Sequence, residues 1–169
     1  MTNQIFKNNI NITVLVTSAS QREITLQTVN YYSQICSEVI FIDEQKPYLS
    51  ETEVNRLTLK GIKYIPYEFD SQKGTHNSPY KKRLVGANVS KNEYLVHSNH
   101  DERYTTLGLL ECVKELENNK DLSFCIGQAI AIRKNNSKIH FTRSYKNLSA
   151  YENINCLLYT SDAADDDHC

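Results

Sequence analysis

The segment Glu93–Tyr104, Glu-Tyr-Leu-Val-His-Ser-Asn-His-Asp-Glu-Arg-Tyr, concentrates the side chains best suited to chemistry. An apolar run, Tyr94-Leu95-Val96, reads as a buried strand and passes directly into Ser98-Asn99-His100-Asp101-Glu102 with no turn residue between them. In an open α/β sheet, ligands sit beyond the carboxyl ends of the strands, so Asp101 and Glu102 are candidates for a site. Hard divalent cations that carry phosphates take oxygens from one or two carboxylates and from the substrate. On an extended chain, Asn99 and Asp101, two apart, point to one side and Glu102 to the other. His100 between them is more readily a solvent-facing or hydrogen-bonded imidazole than a ligand. The plain alternative is a strand end dissolving into a solvated turn, and the flanking elements have to decide between the two.

Those elements can be placed from pattern. Ile12-Thr13-Val14-Leu15-Val16 is a β-branched run of strand length that ends at a small polar turn, Thr17-Ser18-Ala19-Ser20. A helix follows from Gln21, with Ile24, Thr28, Tyr31, Tyr32 and Ile35 expected on its inner face. Val39-Ile40-Phe41-Ile42 is a second buried strand and also exits into acids, Asp43-Glu44. Ser50-Glu51-Thr52-Glu53 opens a helix that carries Val54, Leu57 and Leu59 and closes at Lys60-Gly61, a glycine C-cap. Ile62–Tyr67 alternates apolar and polar, and Pro66 puts its end at a sheet edge. After a polar loop from Asp70 to Asn77, Ser78-Pro79 starts a helix through Lys81-Lys82-Arg83 to Ala87. Beyond the focal strand, Leu109, Leu110, Val113 and Leu116 have helical spacing. Leu122–Ile126, Gln128–Ile132 and Lys138–Thr142 are expected strands. Strands alternating with helices imply right-handed crossovers and a mainly parallel α/β sheet.

Composition narrows the class. A chain of 169 residues with 40% hydrophobic content is sized for one core, and a net charge of −1 argues against an electrostatic grip on nucleic acid. No apolar run approaches the ~20 residues that span a bilayer, and the N-terminus lacks a signal-peptide core, so a cytoplasmic location is expected. The five cysteines show neither zinc-ligand nor disulfide-framework spacing and read as buried free thiols. Four acids and no Lys or Arg fall within residues 156–169. Cys156–Asp166 is similar to the translation of a transposase-type sequencing adapter, so 1–155 is read as the domain, 156–169 as a non-native disordered tail, and the true reading frame as continuing past Asn155.

The order of these features resembles the nucleotide-sugar-binding half of a family-2-like glycosyltransferase of the GT-A fold, over roughly residues 12–133. In that family a Pro-Thr-x-Asn-Arg-like turn ends the first strand; here Thr17, Ser18 and the displaced Arg22 stand in it, without the proline. The second strand ends in a nucleoside-holding Asp, matched by Asp43. Arg83-Leu84-Val85-Gly86 keeps the Arg and Gly of an Arg-Asn-x-Gly segment and loses its Asn. At the Asp-x-Asp motif the first acid is replaced, leaving Asn99-His100-Asp101. The resemblance implies Thr17, Ser18, Arg22, Asp43 and Arg83 as nucleotide-binding residues. It also implies Mg²⁺ or Mn²⁺ on Asp101 and Asn99, with the metal weakened by the neutral amide.

The implied activity is transfer of a sugar from a nucleotide-diphospho-sugar donor to an unknown glycan or lipid-linked acceptor, this chain supplying donor binding without the acceptor-side base, and inactive by itself. A cation that meets the charge developing on a departing diphosphate lowers the barrier, and Arg83, or Lys82 beside it, is placed to supply one. Two other classes compete. A nucleotidyltransferase shares the sheet and the carboxylates but signals a Gly-rich loop that cradles a triphosphate, and Thr17–Arg22 has no glycine. A non-catalytic sugar- or partner-binding module accounts for Asn99 where an acid is expected.

Overall fold

The computed structural model describes residues 10–18, 21–68, 78–125, 129–132 and 139–143. Four strands, β1 (Ile10–Ser18), β2 (Cys36–Asp43), β3 (Ile62–Pro66) and β4 (Leu95–Asn99), form one sheet in the order β3-β2-β1-β4. Every pair in it is parallel. The intervening helices are α1 (Arg22–Tyr32), α2 (Glu51–Thr58) and α3 (Ser78–Asn88), and α4 (Thr106–Asn118) follows β4. The predicted alternation therefore holds through these elements, in an α/β, Rossmann-like sheet flanked by helices. Because β2 and β4 lie on opposite sides of β1, the strand order reverses at β1/β4, the place where such sheets open a crevice.

The two faces follow from the period-2 alternation of β1 and β2. Ile12, Val14, Val16, Val39 and Phe41 pack with Val29 and Tyr32 of α1 and Leu57 of α2. Leu15, Ile40 and Ile42 form the other cluster, under α3. Gly86 is what lets α3 lie so close: a Cβ there would stand 2.7 Å from Ile42 Cδ1 and 2.9 Å from Leu15 Cδ2. The capping box opening α2 is fully made, with Ser50 Oγ accepting from the Glu53 amide and the Glu53 carboxylate accepting from Ser50 N–H. Gly61 closes it at φ 76°, the left-handed conformation that favours glycine.

Several expectations need correction. The buried residues of α1 are Thr25, Thr28, Val29 and Tyr32, while Ile24 is exposed, because inward threonine hydroxyls find partners described below. Leu59 and Leu110 are likewise exposed, leaving Leu57 and Leu109 as the buried members of their helices. β4 is an edge strand of the described sheet, so Leu95 is half-exposed rather than buried. Leu122–Cys125 is turn and irregular chain, with Leu122 N–H bonded back to Asn119 O and Phe124 exposed; the run has no partner strand. The described chain divides into two compact units at Val113/Lys114, and the second contains the antiparallel pair β5 (Ala129–Ile132) and β6 (Ile139–Arg143). Ala19, Ser20, the 69–77 loop, Ile126, Lys138 and the 156–169 tail lie outside the described residues. Among the described residues no helix is long and apolar enough to cross a membrane.

Candidate functional site

Parallel pairing brings the carboxyl ends of the strands to one edge. The register sets Ser18 beside Asp43, Thr17 beside Asn99, and Asp43 beside Pro66. Thr17, Ser18, Asp43 and Asn99, chosen from separate stretches of sequence, thus end as neighbours in two dimensions. Each belongs to one of the two faces, and the faces differ.

On the α1 face, the fully buried Asp43 carboxylate accepts from three donors. Arg22 Nη2 and Tyr64 OH reach Oδ2 at 3.0 and 3.1 Å, and the Gln45 amide reaches Oδ1 at 3.0 Å. Arg22 is fixed further by its bond to the Gln45 carbonyl and by its own N–H on Gln45 Oε1. Burial pushes the Tyr64 hydroxyl up to about 12, so it stays a donor. Thr25 Oγ1 donates to Ser18 Oγ at 3.1 Å. Gln21, immediately before α1, holds φ 55°, an uncommon conformation for a residue with a side chain. The structure therefore brings Ser18, Arg22 and Asp43 together, with Asp43 anchoring Arg22. Tyr64 and Gln45, which complete the cluster, have no signature in sequence; only pairing of β2 with β3 places Tyr64 there.

On the α3 face, Lys82 is buried and paired with Glu44, Nζ to Oε2 2.5 Å. It is therefore committed to Glu44, whereas Lys81 beside it is only partly buried. His97 Nε2 lies 3.4 Å from Thr17 Oγ1. Burial, and then the positive charges of Arg83 and Lys82, hold its imidazole down at about 3. Thr17, His97 and Arg83 thus share one neighbourhood. Sequence reasoning passed over His97, which lies inside an apparent apolar strand; its alternation with Asn99 on the same face was the available signal.

Past β4 the chain does not stay extended. Residues His100 and Asp101 form a turn, and Glu102 folds back onto Asn99 instead of pointing away. Glu102 N–H donates to Asn99 O at 3.3 Å, and its carboxylate accepts from Asn99 N at 3.0 Å and from Asn99 Nδ2 at 3.1 Å. The expectation that Asn99 and Asp101 align along a strand gives way to this turn, because the loop's carbonyls have better partners on α1. Thr28 Oγ1 donates to His100 O at 2.7 Å, Tyr31 OH to Tyr104 O at 2.8 Å, and Tyr32 OH to Glu102 O at 3.3 Å. Tyr32, pushed up to about 12 by burial, also accepts from Tyr104 N–H at 2.9 Å. Asp101 is exposed at the tip.

The donor set bears on a cation. Among the described residues no three His, Cys, Asp or Glu side chains cluster closely enough to cage a metal. A hard ion that keeps waters and substrate oxygens needs fewer protein ligands. Asn99, whose side-chain nitrogen is held by Glu102, keeps its amide oxygen for such an ion, and Asp101 stands exposed two residues further on. Cys36 is buried, its thiol pushed up to about 12 by desolvation, and among the described cysteines none is in a disulfide.

Fold and site together define an α/β protein with polar strand ends gathered at the strand-order reversal of a parallel sheet. No protein-family model and no curated protein matches the chain. Among solved structures it is similar to the crystal structure of 4-diphosphocytidyl-2C-methyl-D-erythritol synthase, at 8% identity and a TM-score of 0.46, over 82% of this chain and 70% of that one. A likeness of that size bears on no residue of the site.

Proposed function

We propose that the chain binds a nucleotide-diphospho-sugar at the carboxyl edge of β1, β2 and β4, as the donor-binding part of a GT-A-like, family-2-like glycosyltransferase. One observation supports the reading: Thr17, Ser18, Asp43 and Asn99, singled out from distant stretches of sequence, end as register neighbours at the carboxyl edge of the sheet, with Arg22 bonded to Asp43 and Arg83 of α3 close to His97. In this proposal the α1 face receives the nucleoside, oriented by Arg22 on its Asp43 anchor. The α3 face receives the diphosphate through Arg83. Mg²⁺ or Mn²⁺ is held by Asp101 and Asn99 with the donor's phosphate oxygens and water, and supplies charge neutralisation at the departing diphosphate. The acceptor is a glycan or a lipid-linked sugar.

Calorimetric binding of a sugar-nucleotide panel with and without Mn²⁺ tests this. Parent protein should bind at least one member in a Mn²⁺-dependent manner, Asp101→Asn should lose that dependence, and Arg83→Ala should weaken binding by roughly 1–3 kcal/mol. Parent-like binding by Asp101→Asn would move the metal elsewhere. The second reading, a non-catalytic binding module, is favoured by Asn99 in place of an acid; it predicts sugar or partner binding with no metal dependence.

A further inference from the structure

We propose that Glu102 is a positioning residue of this site: it clamps the Asn99 side-chain amide so that the carbonyl oxygen is the end left to meet a ligand-borne cation. The inference rests on the donor-binding reading above and adds to it a residue that the Asn-His-Asp pattern does not single out.

The geometry decides which end of the amide is free. The Asn99 atom 3.1 Å from Glu102 Oε1 is the NH₂ nitrogen, which donates to it. The oxygen of the same planar amide then lies on the side away from Glu102. The other carboxylate oxygen, Oε2, takes the Asn99 backbone N–H at 3.0 Å, with Tyr104 OH 3.5 Å away. A turn cap alone would need only that backbone contact. The second contact, onto the side chain, is the one that sets the orientation.

The clamp is itself held from both sides. The Glu102 carbonyl accepts from Ser98 Oγ at 3.0 Å and from Tyr32 OH at 3.3 Å, and both Ser98 and Tyr32 have no exposed surface. Glu102 N–H closes the turn onto Asn99 O. With both oxygens occupied by Asn99, Glu102 serves as a neighbour of the ligand rather than as a ligand. Carboxylates that orient ligating groups in this way typically matter by 10–100-fold in metal affinity.

Glu102→Gln separates orientation from capping. Gln Oε1 can still accept the Asn99 backbone N–H, but its NH₂ then faces the Asn99 NH₂, and Asn99 relieves the clash by turning its amide over. The NH₂ end then meets the cation. Mn²⁺ binding in the presence of UDP, GDP or CMP, read by electron paramagnetic resonance on the 169-residue chain, should weaken roughly 10–100-fold with little change in melting temperature. The paired variant Asn99→Asp/Glu102→Gln, in which the Gln NH₂ can donate to the new carboxylate, should recover the affinity or exceed it. Mn²⁺ binding in Glu102→Gln equal to that of a nucleotide-competent parent overturns the clamp and leaves the donor-binding reading standing. Equal loss of affinity in the single and paired variants also overturns it. A parent that shows no Mn²⁺-dependent nucleotide binding takes down the donor-binding reading and the clamp with it.

Discussion

The α1 and α3 faces meet the same carboxyl edge with different chemistry. On the α1 face a buried carboxylate, Asp43, is surrounded by Arg22, Tyr64 and the Gln45 amide, and hydroxyls of Thr25, Thr28 and Tyr32 fill neighbouring acceptors. On the α3 face an ion pair, Lys82 with Glu44, lies near an imidazole that burial, and then the charges of Arg83 and Lys82, keep neutral. The first arrangement is a hydrogen-bond network centred on one carboxylate, although the buried Nε of Arg22 has no partner in it. The second is an ion pair beside a desolvated imidazole.

The sharpest way to break the contrast is Asp43→Ala. It strands the Arg22 guanidinium and leaves Tyr64 OH and the Gln45 amide without their acceptor, so a loss of about 3 kcal/mol is expected by chemical denaturation. A loss under about 1 kcal/mol would show that the network is loose and the faces alike.

On the opposite face, pH is the probe. The folded state holds His97 at about 3, so below the ordinary value of ~6.5 the unfolded chain takes up a proton that the folded chain refuses. Stability from this residue is complete above that pH and falls as pH drops toward 3, by up to about 1.4 kcal/mol per unit, or about 2 kcal/mol at pH 5. Denaturation at pH 7 and pH 5 should show this slope in the parent and not in His97→Asn; an unchanged slope would locate the titration elsewhere.

Gly86→Val asks how tightly α3 is seated. The added carbons meet Ile42 and Leu15 at distances below 3 Å, and overpacking of about 2 kcal/mol is expected, with α3 displaced and the His97 slope reduced in the same protein. Retention of both would mean that Gly86 is not what sets the α3 height. The smallest effect belongs to a position far from the contrast: Ser50→Ala removes the α2 cap at a cost of about 1 kcal/mol and should leave ligand binding untouched.

How much of this was legible in the sequence differs from residue to residue. The Ser50–Glu53 box, the Gly61 stop and the β-branched runs of β1 and β2 are local devices: the residues that form each one lie within a few positions of each other, so a reader of the chain sees the whole device. Asp43 and Asn99 at strand ends were visible for the same reason, because a strand's exit is written next to the strand. Thr28 was read as one position among apolar ones. Its partner, the carbonyl of His100, lies 72 residues away, and nothing local reports that a hydroxyl is needed.

By itself the sequence determined the alternation of strands and helices, the parallel character of the sheet and the polar strand ends, since periodicity and capping are properties of neighbouring residues. Only the tertiary structure decided which threonines face inward on α1, that Tyr64 and Arg22 share Asp43, that Lys82 is spent on Glu44, and that Glu102 returns to Asn99. The physical reason is shared by the first three, while Glu102 and Asn99 lie only three residues apart and their turn is held from α1 by Tyr32. A buried polar group is stable only when its donors and acceptors are matched. The matching groups come from elements that become neighbours only in the folded sheet: the exit of β4 with α1, β3 with β2, and α3 with the exit of β2.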